Sequence, residues 1–470
     1  MTSFRKSLGF GIIYTAIAKY SNVFLSISIG AILARILSPA EFGIVAIVTV
    51  FVSFFNLLSD FGIGPAVVQN QDLSENDINS IFSFSVILGI LFAGLFFFAA
   101  SIISNFYNEP KLVNISRLLS LAILFYSFQV VPYALCEKKL QFKKIGIISV
   151  VVQLFSGSLA IVLAHKGFSY YAIVFKSIFD GFVTFIIYYF LSPVKIVLKI
   201  NINSIRKILR FSLFQFMFNF INYFSRNADN LLIGKYFSST ALGYYDKSYR
   251  LMTMPVANLT HVITPVLMPI LSKYQNDKET VYNTYLKVVR ILATIGFPLS
   301  VFLYFSASEI INIMYGSQWN QSIPVFKLLA LTVGIQMVLS TTGSIFQVIN
   351  RTDLLFYSGF LSAIFMVSGI VYGVFFGKNL EAVGYGLIAA FIINFFQGFY
   401  MLISRALNYS FIQFLKSFSF PMLASIGMGL LLWLIGKFSF DSIIYSFVVK
   451  FFIALLFFLL FLLVVEEIEN

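Results

Sequence analysis

Arg226 and Asp229 stand three residues apart inside an apolar run that begins near Phe211. On a helix that spacing puts both charges on one face, within reach of each other. A charge inside a membrane span is costly and turns toward a bundle interior, a partner charge or a water-filled cavity. Two roles stay open for Arg226: a structural partner of Asp229, or a cation that binds cargo. Lys19, midway along the first apolar run, has no acid within a helical turn and reads as a cavity cation. Lys176 and Asp180, at i and i+4, read as a mutually satisfied structural pair. Asp60 precedes a glycine-rich break, FGIGP, at 61–65. Lys450 lies in the last run, near enough to its outer end for the ammonium to snorkel to the surface. Lys287 and Arg290, at i and i+3, open the ninth run as inner-surface anchors or as the start of a cationic path.

The chemistry that suits these cations is anion binding. A phosphate or pyrophosphate group fits best, since the arginine fork meets two phosphate oxygens at once. Asp60, Asp180 and Asp229 are the main acids in the spans, and no pattern marks any of them as a proton or sodium site. No glycine-rich phosphate loop, catalytic constellation or nucleotide motif occurs, so the chain reads as a non-enzyme without a cofactor. One cysteine, Cys136, and two distant histidines, His165 and His261, give no metal-ligand spacing.

The elements that carry these residues are apolar helices. Hydrophobic residues make up 59% of the 470 and charged residues only 11%, where a soluble domain carries roughly 25%. An all-α, polytopic membrane protein is the only class that fits. About fourteen runs are long enough to span, from 10–33 to 443–465, with 211–235 and 243–271 among them. The net charge of +13 follows from loop cations and the positive-inside rule, and does not call for nucleic acid. With the N-terminus cytoplasmic, eighteen Lys and Arg fall in inside segments and ten in outside ones. Both termini then face the cytoplasm. Arg5 and Lys6 precede a run with no cleavage site, so the first helix reads as an anchor.

A shift of 200 positions superposes parts of the two halves. Lys235 falls on Arg35, Ser238 on Ser38, Leu242 and Gly243 on Phe42 and Gly43, and Pro265 on Pro65. Fixed-offset similarity is a mark of a duplicated transporter half. Two parallel six-helix lobes follow, 1–192 and 211–405. A cation-rich amphipathic linker at 193–210 joins them on the inner surface, with anionic lipid as its contact. Residues 406–470 add two helices and an acidic tail.

Four stretches carry a family resemblance: LARILSPAEFGIVAIV (33–48), LLSDFGIGPAVVQ (57–69), NADNLLIGKYFSSTALGYYDKSYRLMTMP (227–255) and MYGSQWNQSIPVFKLLAL (314–331). They resemble the polysaccharide transporter family, of the Wzx-type O-antigen flippase and colanic-acid-exporter kind. That family lies within the multidrug/oligosaccharidyl-lipid/polysaccharide flippase superfamily. The resemblance implies two lobes around a central cavity with alternating access, in the bacterial inner membrane. Its implied cargo is an oligosaccharide repeat unit on undecaprenyl pyrophosphate, moved to the outer leaflet for O-antigen, capsule or exopolysaccharide. A polysaccharide polymerase and a chain-length regulator are the implied protein partners. Arg226 and Lys19 carry over best to the family's cationic cavity, whereas Arg35 and Lys235 look structural. The other readings are a peptidoglycan-precursor flippase, a multidrug or cation antiporter and, from another class, a membrane polysaccharide polymerase. The short outer linkers disfavour the last of these.

Overall fold

The computed structural model describes the backbone of residues 2–192, 194–197, 200–438 and 440–469. Side chains are described over the same residues except 2–13, 15, 210–211, 214–215, 218, 221–222, 224–226, 261–270 and 464–469. Among the described residues every regular element is helical. The chain divides into two compact units, Met1–Gly243 and Tyr244–Asn470.

The first unit holds α1 (Thr2–Ile36), α2 (Pro39–Asp60), α3 (Ile63–Gln69), α4 (Glu75–Tyr107) and α5 (Lys111–Lys138). It continues through α6 (Phe142–His165), α7 (Tyr171–Leu191), α8 (Ile202–Tyr236) and the first turn of α9 (Ser239–Leu271). The second unit takes the rest of α9, then α10 (Lys278–Phe305), α11 (Ala307–Met314), α12 (Ser322–Ala330), α13 (Val333–Leu339) and α14 (Thr342–Val348). Last come α15 (Thr352–Val371), α16 (Leu380–Phe399), α17 (Phe411–Lys416), α18 (Ser419–Ile435) and α19 (Ile443–Glu469).

Eleven helices among the described residues are long and apolar enough to cross a membrane, or twelve if α12 and the bent α13–α14 stretch count as one span. The expected spans at 211–235 and 243–271 fall on α8 and α9, which include side chains outside the described set. Large apolar side chains face outward all along the helices. Phe98 is 79% exposed and Phe190 76%, the pattern of a surface solvated by lipid. Inside, Ile63, Val67, Ile81, Phe82 and Val131 knit α3, α4 and α5 together. Ile29, Leu33, Ala160 and Ala172 close α1 against α6 and α7.

Local sequence explains where the helices start and stop. Ser38 caps α2 with a reciprocal box: its Oγ accepts from the Glu41 amide at 3.4 Å, and Glu41 Oε2 accepts from the Ser38 amide at 2.6 Å. Pro39 follows at a position where its missing N–H costs nothing. Two residues in left-handed conformation, Phe61 (φ 44°) and Gly62 (φ 71°), end α2 and start α3, so the glycine-rich stretch is a true break.

The 200-residue offset reappears in the element boundaries. α1 runs from 2 to 36 and α8 from 202 to 236, while α2 starts at 39 and α9 at 239. Ser238 repeats the cap of Ser38, accepting from the Ala241 amide at 3.1 Å. The two repeats also touch each other at equivalent points. A Cβ added to Gly43 would lie 1.6 Å from the Ser239 carbonyl oxygen, and one added to Gly243 would lie 2.0 Å from that of Pro39. Pro39 and Ser239 are themselves 200 residues apart, so the contact is self-complementary, as across a two-fold axis.

The segment read as an amphipathic linker, 193–210, is non-helical over its described residues up to 201 and then becomes the first turns of α8. Polar contacts tie it to the start of α4. Asp77 accepts from Ser204 Oγ at 2.7 Å and from Lys207 Nζ at 2.6 Å. The Lys195 amide donates to Asn79 at 2.8 Å, and that of Val197 to Ser83 at 2.8 Å.

Candidate functional site: a polar cavity in the N-terminal unit

A cavity of about 1020 Å³ opens among the helices of the first unit. Lys19 and Asn22 reach it from α1, Asn56 and Asp60 from α2, and Gly64 from α3. Tyr126, Gln129, Tyr133 and Glu137 line it from α5, Ser149 and Gln153 from α6, and Lys176, Asp180 and Tyr188 from α7. Four residues singled out in the sequence, Lys19, Asp60, Lys176 and Asp180, therefore share one cavity. Their helical spacings made this meeting possible, and the packing of α2 and α7 against α5, with α1 against α6, completes it.

Each charge has its own surroundings. Lys176 Nζ lies 2.6 Å from Asp180 Oδ2, with the side chains 23% and 21% exposed, so the pair is satisfied yet faces the cavity. Asp60 Oδ1 accepts from the Gly64 amide at 3.3 Å, across the turn made by the left-handed residues. Lys19 makes no hydrogen bond or ion pair among the described residues. Glu137, which spacing alone had not singled out, accepts from the Tyr133 hydroxyl at 2.9 Å. The cavity thus holds three carboxyl groups and two ammonium groups. Cationic character alone does not describe it.

Amides complete the lining. Asn22 donates to Ser149 Oγ at 2.8 Å, and Gln153 donates to the Asn22 carbonyl at 3.1 Å. The signal for these residues was in the sequence: uncharged polar side chains interrupting apolar runs, which a search for charges passes over.

The remaining candidates lie elsewhere. The Arg226 side chain is outside the described residues. Asp229, buried at 4%, accepts from the amide of Asn230 at 2.8 Å. Lys287 and Arg290 are both exposed on α10, in the second unit. Lys450 does not snorkel as expected. Its ammonium lies 2.5 Å from Glu309 Oε1, and both side chains are only 10% exposed. The acid sits 141 positions earlier, out of range of any spacing argument. Lys235 is structural: its ammonium donates to the Phe106 carbonyl and sits 4.5 Å from that ring's centre. In the 314–331 stretch, Tyr315 and Trp319 cover Lys247, their ring centres 5.2 and 5.9 Å from its ammonium.

Residues 32–324 match the family described as polysaccharide biosynthesis protein. The chain belongs to that family. It is similar to the lipopolysaccharide biosynthesis protein WzxC of Escherichia coli, 27% identical over 428 residues, covering 87% of this chain and 85% of that one. The succinoglycan biosynthesis transport protein ExoT of Rhizobium meliloti is 25% identical over 402 residues, covering 85% and 80%. Among solved structures, the lipid II flippase MurJ in an inward closed conformation aligns with a TM-score of 0.77 at 16% identity. The alignment covers 97% of this chain and all of that one. At that identity the likeness establishes the fold alone: an all-α, multi-pass helical architecture.

Proposed function

We propose that this member of the family is a flippase that carries lipid-linked oligosaccharide repeat units across the bacterial cytoplasmic membrane. Its product would feed the synthesis of a surface polysaccharide. The observation that carries the reading is the family match, which runs from the end of α1 into α12 and so takes in most of the first copy of the 200-residue repeat and the first part of the second. The polar cavity supports it, since a membrane protein keeps charges such as Lys19 and Asp60 within its helices only where they face something polar. The carrier would be a polyprenyl pyrophosphate, the anion that the unassigned cations suit. Movement would follow alternating access of two six-helix lobes, 1–192 and 211–405, around a central cavity, with α18 and α19 as later additions.

Arg226 and Lys19 are the proposed cargo cations, and Lys287 and Arg290 the proposed entry cations. Lys176, Asp180, Asp60 and Asp229 serve structure or coupling. The test is export in a strain that makes the matching glycan and lacks its own flippase. Arg226→Ala or Lys19→Ala should reach normal membrane levels and export at least about tenfold less glycan, the loss expected from one charge-assisted contact. Arg226→Lys should recover part of the loss, because a point charge replaces a fork. Full export by both alanine variants would remove these cations from the site. A strain that exports nothing with the wild-type chain would sink the flippase reading itself.

Orientation belongs to the same proposal. The excess of inside cations supports a reading with both termini in the cytoplasm. Reporter fusions at Asn203 should read cytoplasmic and those at Glu109 external; the reverse would overturn the assignment.

A further inference from the structure

The segment that joins the two repeats, described at 194–197 and from 200 onward, is a strap with two faces. Its inward face is fastened to α4. The amides of Lys195 and Val197 donate to Asn79 and Ser83 at 2.8 Å, and that of Asn201 to Ser80 Oγ at 3.5 Å. Asp77 holds Ser204 and Lys207. Val194 and Ile208 are buried in the apolar cluster of Ile81, Phe82 and Val131. These inward residues are spent on the interior of the first unit, which leaves Lys195 and Arg206 as the strap's uncommitted cations. Both are exposed, and their side chains make no ion pair or hydrogen bond among the described residues.

The outward face is apolar between those cations. Ile196 is 63% exposed and Ile202 64%, and Leu209 and Leu213 are exposed as well. Ile202, Arg206, Leu209 and Leu213 recur at i, i+4, i+7 and i+11, so they form one stripe along the first turns of α8. The fastening to α4 runs from Asp77 to Ser83, about 9 Å along the helix axis. Interfacial segments bury their apolar faces to a depth of about 5–10 Å, so the strap sits where headgroups give way to acyl chains. Exposed charges nearby favour an anion: Lys139 and Lys144 stand at the same end of the unit, against Asp72 and Glu75 beside the start of α4. An apolar stripe alone would accept any lipid. Cations set into it select for phosphate that carries a net negative charge.

We propose that the outward face of the strap docks on anionic phospholipid, with Ile196 and Ile202 seated among the acyl chains and Lys195 and Arg206 on the phosphates. Equilibrium fluorescence of the full-length protein tests this without transport, so the result stands apart from the flippase reading. The reporter is Ile202→Trp, with Trp433, exposed on α18, replaced by phenylalanine in every protein; Trp319 is buried. Vesicles contain equal parts of phosphatidylglycerol and phosphatidylcholine in both leaflets, so orientation does not enter. Bromine is carried near the top of the acyl chains of one lipid or the other. Brominated phosphatidylglycerol should quench the added tryptophan at least about twofold more than brominated phosphatidylcholine, since each cation near the surface favours the anionic lipid. Lys195→Gln combined with Arg206→Gln should make the two lipids quench alike. Salt at about 1 M, where the Debye length is about 3 Å, should do the same to the unsubstituted strap.

Ile196→Trp is a second reporter on the same face, in case tryptophan at 202 disturbs the first turn of α8, and it should give the same ordering. Quenching of neither reporter by either lipid overturns the docking surface, because the face then meets water or protein. Equal quenching by the two lipids with both cations in place overturns the anionic preference. A preference that survives the double glutamine change, or that high salt leaves untouched, overturns the assignment to Lys195 and Arg206.

Discussion

Gly43→Val should abolish glycan export, and even Gly43→Ala should reduce it severely. A Cβ at this position would lie 1.6 Å from the Ser239 carbonyl oxygen and 2.4 Å from its carbon. Those atoms are backbone, so no rotamer change relieves the overlap. The first turns of α2 and α9 would have to move apart by more than an ångström. Overpacking in a well-packed interior costs typically about 1–3 kcal/mol when side chains can yield, and here none can. Gly243→Val should behave alike, because its Cβ would meet the Pro39 carbonyl at 2.0 Å. The two capping serines, Ser38 and Ser238, hold their helix starts in place and leave little freedom to reseat the crossing. Export and a membrane immunoblot should be read together. Both variants should insert, since their spans keep their hydrophobicity, and fail in transport. Gly30→Ala is the control: its Cβ would meet nothing within 4 Å, and export should match wild type. Wild-type export by Gly43→Val would show that the crossing is dispensable.

The crossing also shows what a sequence can and cannot carry. The offset of 200, the paired serine caps and the paired glycines are local features, and each was readable from residue types alone. That Gly43 would meet Ser239, and Gly243 meet Pro39, is a matter of how two distant turns dock. Lys176–Asp180 was legible for the same reason as the caps: one helical turn separates its members, and helix geometry does the rest. Asp60 was legible as a costly charge beside a break. Its company was not, because Lys19, Gln129 and Asp180 come to it from three other helices. The search for charges in the spans found four of the cavity's five charged groups. It passed over Glu137, which Tyr133 bonds, and the amides of Asn22, Asn56, Gln129 and Gln153, because none of them pairs with a charge at helical spacing. Lys450 was misread because position along a span suggested an escape route, whereas packing supplied a partner.

That partner sets up the second large effect. Lys450→Met should lower both the accumulation and the thermal stability of the protein sharply. In the folded chain the Lys450 ammonium is held by Glu309 Oε1 at 2.5 Å and by the Phe305 carbonyl at 2.9 Å. Ser446 donates to the same Glu309 oxygen at 2.7 Å, while Glu309 Oε2 has no hydrogen-bond partner among the described residues. The pair ties α19 to α11 within the second unit. Removing the cation leaves a buried carboxylate with one hydroxyl for company, a change that costs about 3–5 kcal/mol where such pairs are broken. Removing both charges is a different matter, because an apolar pair of similar volume avoids the desolvation of two ions. Lys450→Met combined with Glu309→Leu should therefore recover most of the stability lost in the single variant, with Ser446 free to bond back to its own helix. Glu309→Leu alone should be as damaging as Lys450→Met, since it strands the ammonium. Thermal unfolding of the purified proteins in one detergent decides the matter. A single variant as stable as wild type would mean that the ion pair contributes nothing to holding α19. A double variant no better than the singles would mean that shape, and not charge, holds the two helices together.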